Sequence, residues 1–279
     1  MGFLQRMYGA SFGMLIFCGV FPERPTAFDA RFPPFTNRSN VRFVPLTVAE
    51  VNRGLFTYIC IAKVAKMKLR GVKGYFMFSD DMIFNPWIPV DKTIAHTPDH
   101  DQADDTDMRH WRLDIGHPAA KRAARLLSSD IHLKKRSFRR FLRQYQDALK
   151  RNFNDEKLEP EQHLMRPDGW IVADWVYVPS TNLSFVATFA EVAHEAGLFH
   201  EIFFGKVANL LGGVRHSNKT IRSMWYDDRD HWADYYSPRL IGMHPIKMSM
   251  LLNETNKRMF CTRILSTFYN MFLGAPMSL

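Results

Sequence analysis

Two adjacent carboxylates, Asp80 and Asp81, sit inside GYFMFSDDMIFNPW (residues 74–87), a stretch that is otherwise almost wholly apolar. A carboxylate in apolar surroundings is costly unless something compensates its charge. A divalent cation does so well, because hard oxygen ligands suit magnesium and manganese. Such an ion can then hold the phosphates of a nucleotide. Asp80 and Asp81 are therefore candidate ligands of Mn2+ or Mg2+. The plainer alternative is a turn, with Asp81 capping it and Asp80 facing water.

Three other positions could join this chemistry. In IGMHPIKMS (residues 241–249), His244 could supply an imidazole to the metal and Lys247 could meet a phosphate. Taken by itself, His244 reads more simply as a surface-loop residue. In LFHEIFFGKVANLL (residues 198–211), Glu201 stands at the start of a helical pattern. The helix N-terminus favours its charge, and its apolar neighbours suggest a dry setting, where a carboxylate can take a proton from a hydroxyl. An ordinary first-turn acid is the bland reading. Asp174, within an apolar run, is either a buried hydrogen-bond acceptor or part of an acceptor site. His96, His100, Asp101 and His110 lack fixed metal spacing and read as surface. The run WYDDRDH (residues 225–231) could stack on a sugar or be a polar loop. No Gly-rich phosphate loop and no G-x-S-x-G elbow occurs.

The elements that must position these residues can be read from periodicity. A short helix is expected over 3–10, a strand over 12–18, a Pro-rich loop over 22–34 and a strand over 41–46. Apolar residues at helical spacing predict a helix from Leu55 to Met67, stopped by Gly71 and Gly74. Residues 75–78 then read as a buried aromatic strand. Asp80 and Asp81 would lie just beyond its carboxyl end, where ligands bind in α/β sheets. Residues 93–118 read as an exposed polar loop. Helices are expected over 119–127 and 137–153, the second with an apolar stripe of Phe138, Phe141, Leu142, Tyr145 and Leu149. A strand over 169–178 precedes a helix running to Gly197, a further helix over 200–211 and a helical tail over 250–279. Strands separated by helices predict an α/β fold, a mainly parallel sheet with helices on both faces.

The 279 residues can bury a proper core, and a hydrophobic share of 46% excludes a disordered chain. No apolar run approaches the roughly 18 residues of a membrane span. A formal net charge of +9 favours an anionic partner. Three cysteines form no disulfide framework, although one bridge is possible. N-x-S/T sequons at Asn37, Asn182, Asn218 and Asn253 lean toward a secretory compartment.

Taken in order, QRMYG (5–9), IFCG (16–19), GYFMFSDDMIFNPW, ADWVYVPS (173–180), LFHEIFFGKVANLL and MHPIKMS (243–249) resemble the STELLO group of plant Golgi proteins and their nematode relatives. The resemblance spans residues 3–250. It implies a single glycosyltransferase-A-like domain over residues 1–279. Asp80 and Asp81 would lie at the metal and diphosphate in the manner of a DxD signature, although the order here is Ser79-Asp80-Asp81. His244 would lie on the far side of that site. It further implies a nucleotide-sugar donor, a glycan or protein acceptor, and a type II Golgi membrane protein with this domain in the lumen. A homodimer is compatible with it. Relative to the family the chain opens at the helix before IFCG, so the expectation is a truncated member lacking the first strand and the membrane anchor. Phe203-Phe204-Gly205 replaces smaller residues expected at the acceptor pocket.

The function expected is metal-dependent transfer of a sugar from a nucleotide sugar to a hydroxyl in the Golgi. Asp80, Asp81 and His244 would hold metal, Lys247 would face phosphate and Glu201 would act as base. Two alternatives stand beside it. One is an inactive scaffold of the same fold that assists other Golgi proteins. The other is a nucleic-acid binder using Lys134, Lys135, Arg136, Arg139, Arg140 and Arg143. No nucleic-acid motif accompanies that cluster, so nucleic acid is not the expected partner.

Overall fold

The computed structural model describes residues 2–21, 40–98, 109–153, 155, 157–167, 171, 174–216 and 219–273. The Pro-rich loop, the sequons at Asn37 and Asn218, His100, Asp101 and most of residues 169–173 lie outside the described residues. In chain order the strands are β1 (Leu15–Gly19), β2 (Val41–Pro45), β3 (Gly74–Phe78), β4 (Ile83–Phe84), β5 (His96–Pro98), β6 (Trp175–Pro179), β7 (Val214–His216), β8 (Ile221–Ser223) and β9 (Gly242–His244). The chain divides into two compact units. One comprises residues 1–45, 78–90 and 218–279, the other residues 46–77 and 91–217.

In the first unit, β4, β9 and β8 form one sheet, with β4 antiparallel and β8 parallel to the central β9. β1 and β2 form a separate parallel pair. The core of this unit is aromatic. Tyr8 is fully buried and packs edge-on to Phe78 and Phe268, while Phe78 stacks on Phe84 with ring centroids 5.7 Å apart. The Tyr8 hydroxyl accepts a bond from the Phe84 amide at 3.0 Å. The expected helical tail is built from Glu254–Met259, a π-helical Phe260–Leu265 and Ser266–Leu273.

In the second unit the sheet order is β3-β6-β5-β7, with β5 antiparallel to β6 and parallel to β7. The helix Leu183–Ala196 presents Phe185, Val186, Phe189, Ala190 and Ala193 inward. Its alanines leave room for close packing of the helices Ile59–Lys66 and His117–Leu127. Gly197 closes it in the left-handed region, at φ +72°. In the helix Arg136–Asn152, Phe138, Phe141, Tyr145 and Leu149 of the expected stripe are buried, and Leu142 is half-buried. Each such side chain contributes roughly 1.5–3 kcal/mol on burial. Its basic residues Arg136, Arg139, Arg140 and Arg143 face water.

The α/β class is as the sequence predicts, but the sheets are mixed rather than mainly parallel. β3 is half-buried along its whole length, not buried. The stretch read as an exposed loop over 93–118 contains a buried strand, β5, and a helix at Arg109–Arg112. His96 is 3% exposed. Its Nε2 donates to the Asp91 carbonyl at 2.8 Å, and its Nδ1 lies 2.8 Å from His216 Nε2. The surface reading of His96 is thus corrected: its ring is a hydrogen-bonded core group. Among the described residues no helix is long and apolar enough to cross a membrane.

Candidate functional site

β3 ends at Phe78, and a tight turn follows, closed by the Met82 amide donating to the Ser79 carbonyl at 3.2 Å. The two acids at this turn have different fates. Asp80 is exposed. Asp81 turns back toward β9, and its Oδ1 lies 3.2 Å from His244 Nε2. The Asp81 side chain is 26% exposed and that of His244 20%. The backbone reinforces the contact, since the Ile246 amide donates to the Asp81 carbonyl.

Three features of the first unit hold this arrangement. β4 pairs with β9 through Ile83 opposite Met243 and Phe84 opposite Gly242. Gly242 is required there, because a Cβ would run into Met82 Cε and come within 2.9 Å of the Ile83 carbonyl oxygen. Asn85, 1% exposed, donates from Nδ2 to the carbonyls of Ser237 (3.2 Å) and Leu240 (2.8 Å), and accepts from the Tyr236 hydroxyl (3.3 Å). Trp87 Nε1 donates to the Pro238 carbonyl at 2.8 Å. The NPW end of the motif thus clamps the segment that leads into His244. Nothing in the sequence signalled these two residues as positioning groups. Their partners are backbone carbonyls about 150 residues away, and a carbonyl leaves no trace in residue type.

Burial acts to raise the Asp81 carboxyl. The hydrogen bond and charge of His244, with smaller help from Ser79 and the local backbone, more than offset this, and the carboxyl lies below its ordinary value. The Ser79 hydroxyl itself is buried and makes no hydrogen bond of good geometry among the described residues. Asp81 therefore remains a carboxylate at neutral pH, with the imidazole as its counter-group.

The remaining predicted residues are placed as follows. Lys247 is exposed, three residues past His244, at the start of the 3-10 turn Met248–Leu252. Glu201 belongs to the second unit. It is half-buried on the first turn of the helix His200–Leu211, followed by the fully buried Ile202, Phe203 and Phe204. Asp174 is half-buried just before β6. In the 225–231 run, Asp228 is tied up locally: it accepts from Arg222 at 3.1 Å and from the Tyr235 hydroxyl at 2.8 Å.

As a metal centre the constellation is small. Among the described residues no group of three or more His, Cys, Asp or Glu side chains could hold an ion, so Asp80 is not gathered with the Asp81–His244 pair. The pair still offers one carboxylate oxygen and one imidazole nitrogen at a rim. The carboxylate suits an ion of the magnesium or manganese type, which is commonly held by one or two carboxylates and completes its shell with water and substrate phosphates, whereas an imidazole is the softer donor of the two.

A family model for STELLO glycosyltransferases matches residues 1–175. The matched span carries Asp80 and Asp81, whereas Glu201, His244 and Lys247 follow it. No curated protein matches the chain, and no solved structure does. With well over half of its length covered by the match and an α/β architecture consistent with such a domain, this chain belongs to the STELLO glycosyltransferase family.

Proposed function

We propose that this chain is a glycosyltransferase-A-like domain that acts in the Golgi lumen, moving a sugar from a nucleotide donor to a hydroxyl acceptor. One observation carries the reading: Asp81 and His244, 163 positions apart in sequence, meet at 3.2 Å at the rim of a sheet. Family membership supports transfer chemistry in the secretory pathway. The pair supports a place for the donor's diphosphate.

Asp81 and His244 would hold Mn2+ or Mg2+, and the exposed Asp80 would add negative charge beside them. When bound, the ion supplies Lewis-acid stabilisation of the departing diphosphate. Lys247, exposed to solvent, adds positive charge for a phosphate. The sugar–oxygen bond to the diphosphate breaks with its electron pair leaving on that diphosphate. The acceptor hydroxyl oxygen forms the new bond. The acceptor's proton is assigned to Glu201 on its own chemistry, as a half-buried carboxylate on a helix's first turn, a position that favours negative charge.

Titration calorimetry with uridine or guanosine diphosphate tests the reading. Binding is expected with manganese and not with a chelator. Asp81→Ala should abolish it while the circular dichroism spectrum is kept. Glu201→Gln should bind as the wild type does but lose sugar transfer. A protein indifferent to both manganese and Asp81→Ala would be a scaffold, and the transferase reading would fall.

A further inference from the structure

Of the sequons that the described residues include, Asn253-Glu254-Thr255 is the one the fold presents to water. Asn253, Glu254 and Thr255 are all exposed, as is the neighbouring Leu252, 42% accessible. Asn253 has extended backbone (φ −79°, ψ 126°) immediately before the helix Glu254–Met259. Its side-chain oxygen accepts from the amides of Thr255 (2.9 Å) and Asn256 (3.2 Å). Two N–H donors can converge only on the oxygen, so this network fixes the orientation of the amide. Nδ2 is then the outward atom, and it makes no hydrogen bond among the described residues. Asn182-Leu183-Ser184 contrasts with it. Asn182 is half-buried and closes the 3-10 turn Ser180–Asn182 that runs directly into a helix.

We propose that Asn253 is a site of N-linked glycosylation, an inference that rests on the lumenal location proposed above. The co-reactant is a lipid-diphosphate-linked oligosaccharide. A bond forms between Asn253 Nδ2 and the anomeric carbon. The bond from that carbon to the diphosphate oxygen breaks, and its electron pair stays on the lipid diphosphate. The amide nitrogen gives up one proton. The atom that is modified is not the atom that caps, so Oδ1 keeps both amide bonds after the sugar is attached. The glycan would also cover the exposed Leu252, a large apolar side chain otherwise left in water.

The chain is expressed in a eukaryotic cell behind a cleavable secretion signal, with an unstructured acceptor sequon appended as a tail. Peptide mapping with and without an endoglycosidase reads each site. The expected result is glycan on both Asn253 and the tail. Asn253→Gln and Thr255→Ala should each remove the same single endoglycosidase-sensitive mobility step, and Thr255→Ser should retain it. Thr255→Ala keeps the capping oxygen, so its result does not depend on loss of the helix cap. The tail reports entry into the lumen. A bare Asn253 beside an occupied tail would overturn the inference and leave the transferase reading untouched, since nucleotide binding is read separately.

Discussion

The Asp81–His244 contact can be weighed by a double-mutant cycle of Asp81→Ala, His244→Ala and the pair. The two atoms are 3.2 Å apart, and about three-quarters or more of each side chain is covered. A hydrogen bond to a charged group contributes about 1.5–3 kcal/mol, and a fully exposed ion pair about 0.2–1 kcal/mol. Partial exposure places this contact near the bottom of the first range, so the expected coupling is about 1.5 kcal/mol, close to tenfold in the folded-to-unfolded ratio. Urea midpoints of the four proteins give the coupling directly. The pH dependence has a definite sign. The folded Asp81 carboxyl lies below its ordinary value, so its contribution is complete above about pH 4 and is lost as pH falls through the lower folded value. The coupling measured at about pH 6 should therefore vanish in strong acid. A coupling under about 0.5 kcal/mol at that pH is within ordinary additivity and would refute the view that His244 is the counter-group of Asp81.

Two further predictions concern the second unit. Gly74→Ala places a methyl group on the Tyr177 ring, within 2.7 Å of Cε2, and forces the ring away from the Lys92 carbonyl to which its hydroxyl donates at 3.0 Å. Overpacking of about 1–3 kcal/mol and a lost bond of about 1 kcal/mol should sum to roughly 2–4 kcal/mol, read as a lowered urea midpoint with unchanged slope. Glu50 is held at about 2 by the Lys63 ammonium 2.6 Å away and by the Thr47 amide. Its stabilising effect is present above the ordinary glutamate value, about 4.3, and lost as pH falls toward 2. Lys63→Met should move the Glu50 carbon-13 titration upward and flatten the acid limb of the stability profile. An unmoved titration would show that Lys63 does not hold it.

The parts of this fold that could be read from sequence are those whose cause is local. The helices Arg136–Asn152 and His200–Leu211 carry their stripe or their closing glycine in the chain itself, and Gly212 does sit at φ +59°. Strand direction was not legible. β4, β5, β7, β8 and β9 have two or three residues each, too few for a period of two to register. Their pairing is set by partners far along the chain. His96 and His216 illustrate the same limit from the polar side. A run of polar residues reads as solvent-facing, yet here one imidazole satisfies the other and a carbonyl satisfies the second nitrogen, so burial costs little. The acids at 80–81 and the imidazole at 244 could be named from their chemistry. Asn85, Trp87 and Gly242 could not, because what each meets lies far along the chain and is largely backbone.

These residues explain why a doubly acidic pair can end an apolar segment. The first charge goes to water at Asp80. The second, Asp81, is met by an imidazole delivered from β9, and every tie that delivers it is independent of the carboxylate itself: the β4–β9 ladder that Gly242 permits, the Asn85 and Trp87 clamp on residues 237–240, and the Ile246 amide. Removing the Asp81 charge should therefore leave His244 where it is. The metal and diphosphate site proposed above would need that independence, because the cation would have to replace the imidazole's hydrogen bond without displacing β9.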